Sequence, residues 1–224
     1  MRRTVDANGN WRSFRHRNFR ILYPANALSN IGTWAQRVAQ DWLVLELTNN
    51  NGGALGLVTT VQFAPVLFFS LHGGALADRV NKRKLLIATN FFAGLSSIVI
   101  GLLVITENIQ LWHVFVGGAF LGVVTALDAP IRQAFTSELV GHSDVANAVS
   151  LNSANFNAGR LVGPAISGGL IAAFGTGPSF IVNGLSYFFV ITALANLNEK
   201  AFFHQDRPKS DGNIREGIAY AKAR

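Results

Sequence analysis

The sequence has no cysteine, which excludes a disulfide framework, a thiolate metal or redox site and a cysteine nucleophile. Charge is scarce as well. Only 14% of the 224 residues are Asp, Glu, Lys or Arg, against about 25% in an ordinary globular chain. There is no Gly-Lys dipeptide, hence no phosphate-binding loop for ATP, and no His-Glu-x-x-His. His72 and His113 stand alone, without a second ligand at metal spacing, and read as interfacial packing residues. Serines follow Gly-Leu in "GLSS" and "GLSY", but the apolar segment around the second has no histidine to act as base. An enzyme, a metal site and a cofactor are therefore not expected.

What the chain does have is apolar length. Half of its residues are hydrophobic, 17 of them Phe. Six apolar segments cover about residues 20–46, 54–77, 85–105, 109–130, 145–174 and 178–197. A membrane-spanning helix needs roughly 20 mostly apolar residues. The second, third and sixth segments meet this cleanly, and the fourth does so with Asp128 near its end. The first and fifth carry many polar residues and become spans only in this context. The late start and length of the first apolar run, without a small-residue cleavage site, argue against a signal peptide.

The net charge of +7 fits either nucleic acid or loops at an anionic membrane surface. The distribution of the bases decides. Six Lys and Arg precede the first segment, and four (Arg79, Lys82, Arg83, Lys84) lie between the second and third. Arg132 follows the fourth, six follow the sixth, and Arg37 and Arg160 fall within segments. The loops "TNNNGG", "TENIQ" and "FGTGP" carry none. This alternation follows the positive-inside rule and puts both termini in the cytoplasm. Nucleic-acid binding would gather the bases on one face instead.

The densest charge cluster, five charges from Asp78 to Lys84 in "GGALADRVNKRKLL", is then a cytoplasmic turn between two spans. Gly73 and Gly74 allow close helix approach. Asn81 suits a tight turn because Asn tolerates positive φ. Here Gly74, Asp78, Arg79, Lys82 and Arg83 resemble the loop-two signature of the major facilitator superfamily, with Asn81 at the usual turn glycine. "RLVGPAISGGLI" at 160–171 is similar to the fifth-helix signature of that superfamily's drug:proton antiporters. "SNIGTWAQRVAQDWLVLELT" and "ALDAPIRQAF" resemble the subgroup that includes the enterobactin exporter and macrolide efflux pumps. The resemblance implies an all-α membrane protein. Its six transmembrane helices would form the N-terminal half of a twelve-span transporter, built as two inverted three-helix repeats. "GGALA" at 73–77 and "GGLIA" at 168–172 are a trace of such a repeat. The implied layout is a basic cytoplasmic N-terminus at 1–19, a six-helix half-domain at 20–199 and a cytoplasmic linker at 200–224.

Several residues invite a functional reading. Asn26, Asn30, Thr33, Arg37, Gln40 and Asp41 form a polar stripe at helical spacing in the first segment. Charge at mid-bilayer costs about 2.5–3.5 kcal/mol per residue, so Arg37 and Asp41 should face a cavity or partner helices. They are either a structural ion pair or a proton-coupling carboxylate and its cationic neighbour on the substrate path. Asp128 and Arg132 fit an intrahelical pair near a helix end at Pro130. The resemblance instead sets Asp128 against Arg79, Lys82 or Arg83 as an inner gate. Gly159, Gly163 and Ser167 form a small-residue seam, Pro164 can kink the helix, and Gly168 and Gly169 follow. The seam either packs within the bundle or, by resemblance, meets a helix of a second half. Arg160 beside Asn152, Asn155 and Asn157 suggests a buried polar network. Pro65 and Gln62 suggest a kink or a cavity-facing turn.

The expected function is proton-driven efflux of an amphiphilic small molecule or siderophore. A uniporter, a symporter, and a non-transporting fragment or membrane interaction partner stay open. Expected partners are the small-molecule substrate, protons, the lipid bilayer and a second six-helix half, supplied by a missing C-terminal half or by a homodimer.

Overall fold

The computed structural model describes residues 9–77 and 80–203, with backbone alone for 70–77. Six long helices make up nearly all of it: α1 Arg17–Leu47, α2 Gly52–Ala77, α3 Lys82–Ile105, α4 Leu111–Val140, α5 Val145–Phe174 and α6 Gly177–Ala195. Short 3-10 turns lie at Arg12–Arg15, His142–Asp144 and Glu199–Ala201. The described residues contain no strand. Four helices are long and apolar enough to cross a membrane: α2 over Gly52–Phe69, then α3, α4 and α6. The other two, at 31 and 30 residues, are polar enough to fall short of that measure, as their Asn, Gln and Arg content implies.

Element ends follow local chemistry. Asn81 is the N-cap of α3. Its φ is −67° and its side chain accepts a hydrogen bond from the Lys84 N–H at 3.0 Å, so the positive φ expected of Asn81 is corrected to a cap. Left-handed backbone occurs at Asn49 and Asn50, which turn α1 into α2, and at Glu107 after α3. α4 does not end at Pro130. It runs ten residues further to Val140, so Arg132 sits inside the helix, not at its terminus. Pro164 likewise lies within an unbroken α5.

Packing runs α5–α1–α6–α3–α4–α2, each helix lying mainly against its neighbours in that series. α3 and α6 pass antiparallel at closest range where Gly94 and Gly184 meet. A β-carbon on either would sit 3.1 Å from the other's carbonyl oxygen, so only the missing side chains permit this approach. Two apolar clusters close the ends of the bundle. One, at the basic end, includes Phe19, Leu22, Leu86, Ile131, Phe135, Leu139 and Leu194. The other, at the far end, includes Ala39, Leu43, Val44, Val58, Ile100, Val114 and Phe180. Outside, Leu67, Phe68, Leu161 and Phe174 are more than 70% exposed, a surface that water would penalise and lipid accepts.

The basic end is tied by ion pairs. Asp144, 1% exposed, receives Arg12 at 3.3 Å, Arg15 at 2.8 Å and His16 at 2.7 Å. Lys82 pairs with Glu138 at 2.8 Å. Arg83 reaches Glu199 and the carbonyls of Leu194 and Ala195, both at 2.7 Å. Asn18 and Asn198 exchange two hydrogen bonds at 2.9 Å.

Candidate functional site

Between the two apolar clusters lies a cavity of about 740 Å³, with wall residues from all six helices. The stripe of α1 forms one wall, with Asn26, Asn30, Thr33, Arg37 and Gln40. Gln62 and Phe63 come from α2, Thr89 and Asn90 from α3, and Asp128 and Arg132 from α4. Asn152, Asn155 and Asn157 come from α5, and Asn183 and Tyr187 from α6. The walls are not closed: Phe63, Thr125, Gln133, Ser153, Phe156 and Asn157 line the cavity and are also exposed.

Most of the wall's polar groups are held by one another. Gln40 donates to the Gln62 side-chain oxygen at 2.9 Å, so Gln62 is a cavity-facing residue. Asn183 donates to Gln36 at 2.7 Å. Asp128 accepts two hydrogen bonds from Arg132, at 2.8 and 3.1 Å, and one from the Thr89 hydroxyl at 2.7 Å. Arg132 also donates to Asn26 at 2.8 Å. This ties α1, α3 and α4 together around a charge pair, and an α-helix provides the geometry because residues four apart share a face. Such bidentate pairs are the stronger kind of ionic contact. The cross-helix contacts expected of Asp128 with Lys82 or Arg83 are not made. Those bases sit at the end of the bundle, engaged with Glu138 and Glu199. Asp78 and Arg79 lie outside the described residues, and Gly74 falls within α2.

Arg37 and Asp41 are not an ion pair. No oxygen of Asp41 lies within 4.0 Å of the Arg37 nitrogens, and Asp41 is half-buried outside the cavity wall. Arg37 lies over aromatic rings instead, 4.8 Å from the Trp34 centroid and 5.1 Å from that of Phe63. A guanidinium over aromatic rings is favourable, and base-before-acid is the less favourable order for a pair four apart on a helix. Arg160 is exposed, over the Trp34 ring at 5.7 Å. Among the described residues the buried network expected around it is not formed: Asn157 is exposed and its side chain donates to the Ser153 carbonyl, and Asn152 donates to Thr136. Asn155 is 6% exposed, and its side-chain nitrogen has no acceptor.

The glycines of α5 divide into two sets. A β-carbon on Gly159 would meet Asn30 at 3.0 Å, and one on Gly163 would meet Trp34 at 2.6 Å. Ser167 touches the Ser179 hydroxyl at 3.4 Å. Gly159, Gly163 and Ser167 are therefore packed against α1 and α6 of this chain. Gly168 and Gly169 have nothing within 4 Å.

Sequence reasoning missed the Asp144 cluster and the partners Glu138 and Glu199. The signal was present. These acids lie at the same end as the bases, and a buried acid such as Asp144 is costly unless it is paired. His16 and Asp144 stand 128 residues apart in the sequence, so which acid meets which base is beyond any local pattern.

A polar cavity inside a bundle with an apolar exterior defines an integral membrane protein of the polytopic helical class. Residues 8–223 match the transmembrane secretion effector family of the major facilitator superfamily, and the chain belongs to that family. It is 27% identical over 182 residues to the staphyloferrin A transporter of Staphylococcus aureus (strain NCTC 8325 / PS 47), covering 81% of this chain and 46% of that protein. It is 23% identical to the enterobactin exporter EntS of Shigella flexneri, covering 82% and 45%. It is 29% identical to the multidrug efflux pump Tap of Mycolicibacterium fortuitum, covering 69% and 39%. The chain thus spans less than half the length of these relatives.

Proposed function

We propose that the chain is one six-helix half of a secondary active exporter for an amphiphilic small molecule, with both termini cytoplasmic and export driven by inward proton flow. The observation that carries this reading is the cavity. It is polar, sits at mid-height in an apolar bundle, and has exposed residues in its wall. A membrane pathway needs such a site, and a closed structural core does not. The unfinished wall calls for a second half, either a C-terminal half or another copy of this chain. The names of the relatives, a staphyloferrin A transporter, an enterobactin exporter and a multidrug efflux pump, support export of a small molecule.

Two inverted three-helix repeats fit the packing. Exchanging α1, α2, α3 for α4, α5, α6 turns the α1–α5 contact into α4–α2 and the α1–α6 contact into α4–α3, and maps α3–α6 onto itself. In this layout 1–19 is a basic cytoplasmic segment, 20–199 the half-domain and 200–224 the linker. Gly74, Asp78, Arg79, Lys82 and Arg83 gate the inner side.

Asp41 is the proposed proton carrier, supported by its lack of any hydrogen-bond or ion-pair partner among the described residues. Asp128 is a second reading, favoured by its position as the one carboxylate among the described cavity-wall residues. Liposomes with an imposed proton gradient decide between them. The chain is reconstituted either cross-linked as a dimer or joined to a second half, and flux of an amphiphilic dye is followed. Loss of gradient-driven flux with retained dye binding in Asp41→Asn supports Asp41, and the same result in Asp128→Asn alone supports Asp128. Gradient-driven flux from a strictly monomeric chain refutes the need for a second half.

A further inference from the structure

Among the described cavity-wall residues, Arg37 is the one charged group without a charged partner in contact. The other two, Asp128 and Arg132, neutralise each other. Arg37 donates no hydrogen bond to any described residue. Its guanidinium carbon lies over the Trp34 and Phe63 rings, and with no described acceptor its N–H fork is open to the oxygens of a carboxylate, which it matches in geometry. Arg160 adds a second cation over the same Trp34 ring. Asn155 supplies an independent sign. It is buried, lines the cavity, and points an N–H₂ donor at no acceptor. A buried donor without a partner is costly, and an incoming anionic oxygen satisfies it. The same wall offers aromatic surface, with Trp34 and Phe156 in edge contact at 5.5 Å.

From these two unpartnered donors in one cavity wall we infer that the cavity selects an anionic amphiphile, with Arg37 the donor to its carboxylate-like end, Asn155 a further donor along the wall and its apolar body against Phe156. The assignment rests on the transport-cavity reading above and deepens it. Asp41, one helical turn from Arg37, is the competing neutralising group. It lies outside the wall and not within 4.0 Å, so it lowers the local positive potential without occupying the fork.

The test uses residues 1–224 in nanodiscs of zwitterionic lipid and three dansyl-labelled probes on the same alkyl chain. One ends in a carboxylate, one in a carboxamide and one in a trimethylammonium group. Binding is read by energy transfer from tryptophan, corrected for empty nanodiscs, and counted only where unlabelled compound displaces it. One charge-assisted contact corresponds to about a tenfold preference for the carboxylate over the trimethylammonium probe. Arg37→Gln should bring the ratio near one, and Arg37→Lys should keep part of it because charge stays while the fork is lost. Asn155→Asp should invert it by setting a carboxylate where a donor stood. Equal or tighter trimethylammonium binding by the wild-type chain overturns the anion assignment and leaves the transport cavity standing. An unchanged ratio in folded Arg37→Gln also overturns it. Absence of displaceable binding by all three probes removes the cavity reading and this inference with it. The wild-type comparison decides the matter even if a variant fails to fold.

Discussion

Replacing Gly163 with Ala tests the close contact that builds one cavity wall. The added carbon would lie 2.6 Å from the Trp34 β-carbon, 2.8 Å from the Ile31 carbonyl oxygen and 2.9 Å from the Ala35 nitrogen. Comfortable separations are about 3.5 Å or more, so α1 and α5 must part by something under an ångström. Two of the three atoms are backbone and one is the root of a side chain, so no rotamer change relieves the contact. Overpacking of this kind costs about 1–3 kcal/mol, offset by up to ~1 kcal/mol of helix propensity gained from Gly to Ala. Gly169→Ala meets nothing within 4 Å and should be neutral or slightly stabilising. The two variants, six residues apart on one helix, should therefore differ by about 2 kcal/mol. Unfolding of each purified variant by rising SDS in mixed micelles, followed by circular dichroism, measures the difference. Equal stability would refute the close α1–α5 contact, and with it the placement of Trp34 and Arg37 in the wall. A shift of α1 should also weaken probe binding in Gly163→Ala and not in Gly169→Ala.

The remaining expectations concern the two ends of the bundle. His16 and Arg15 hold the Asp144 carboxyl below the usual carboxylate range, outweighing the opposing effect of burial. A depressed folded-state value means the contribution is full above the ordinary Asp value of about 4 and disappears as pH falls through the folded value. Wild-type stability should therefore converge on that of Asp144→Asn as pH drops below about 4. Near neutrality the gap should be about 1–2 kcal/mol, small because Arg12 and Arg15 are 32% and 43% exposed. A constant gap across the titration would show that Asp144 acts by packing alone. For orientation, cysteine introduced at Asn50 or Asn108 should react with an impermeant thiol reagent in intact cells, and cysteine at Val80 should not. The reverse pattern would overturn the cytoplasmic assignment of the basic end.

The spans were legible in the sequence because a helix in lipid must satisfy its own backbone polar groups, and hydropathy over about 20 residues reports that requirement directly. α2, α3 and α6 appear where their apolar runs lie. The end of α4 was not legible. Pro130 reads locally as a terminator, yet the Asp128–Arg132 pair and the burial of Ile131 and Phe135 carry the helix through it. The polar stripe of α1 was visible as a face, since 3.6-residue periodicity survives in sequence. Its division was not: Arg37 and Gln40 turn into the cavity while Asp41 does not.

Composition and the spacing of charge by themselves determined that this chain is a set of membrane helices with its bases at one end, because transfer free energies add residue by residue. Which charged groups meet was decided only by the tertiary structure. Asp128 binds Arg132 and not Lys82 or Arg83, Asp144 gathers Arg12, Arg15 and His16, and Arg37 lies against Trp34 without a contacting carboxylate. Pairing energy depends on distances of a few ångströms between residues far apart in sequence, and those distances exist only once the helices have packed.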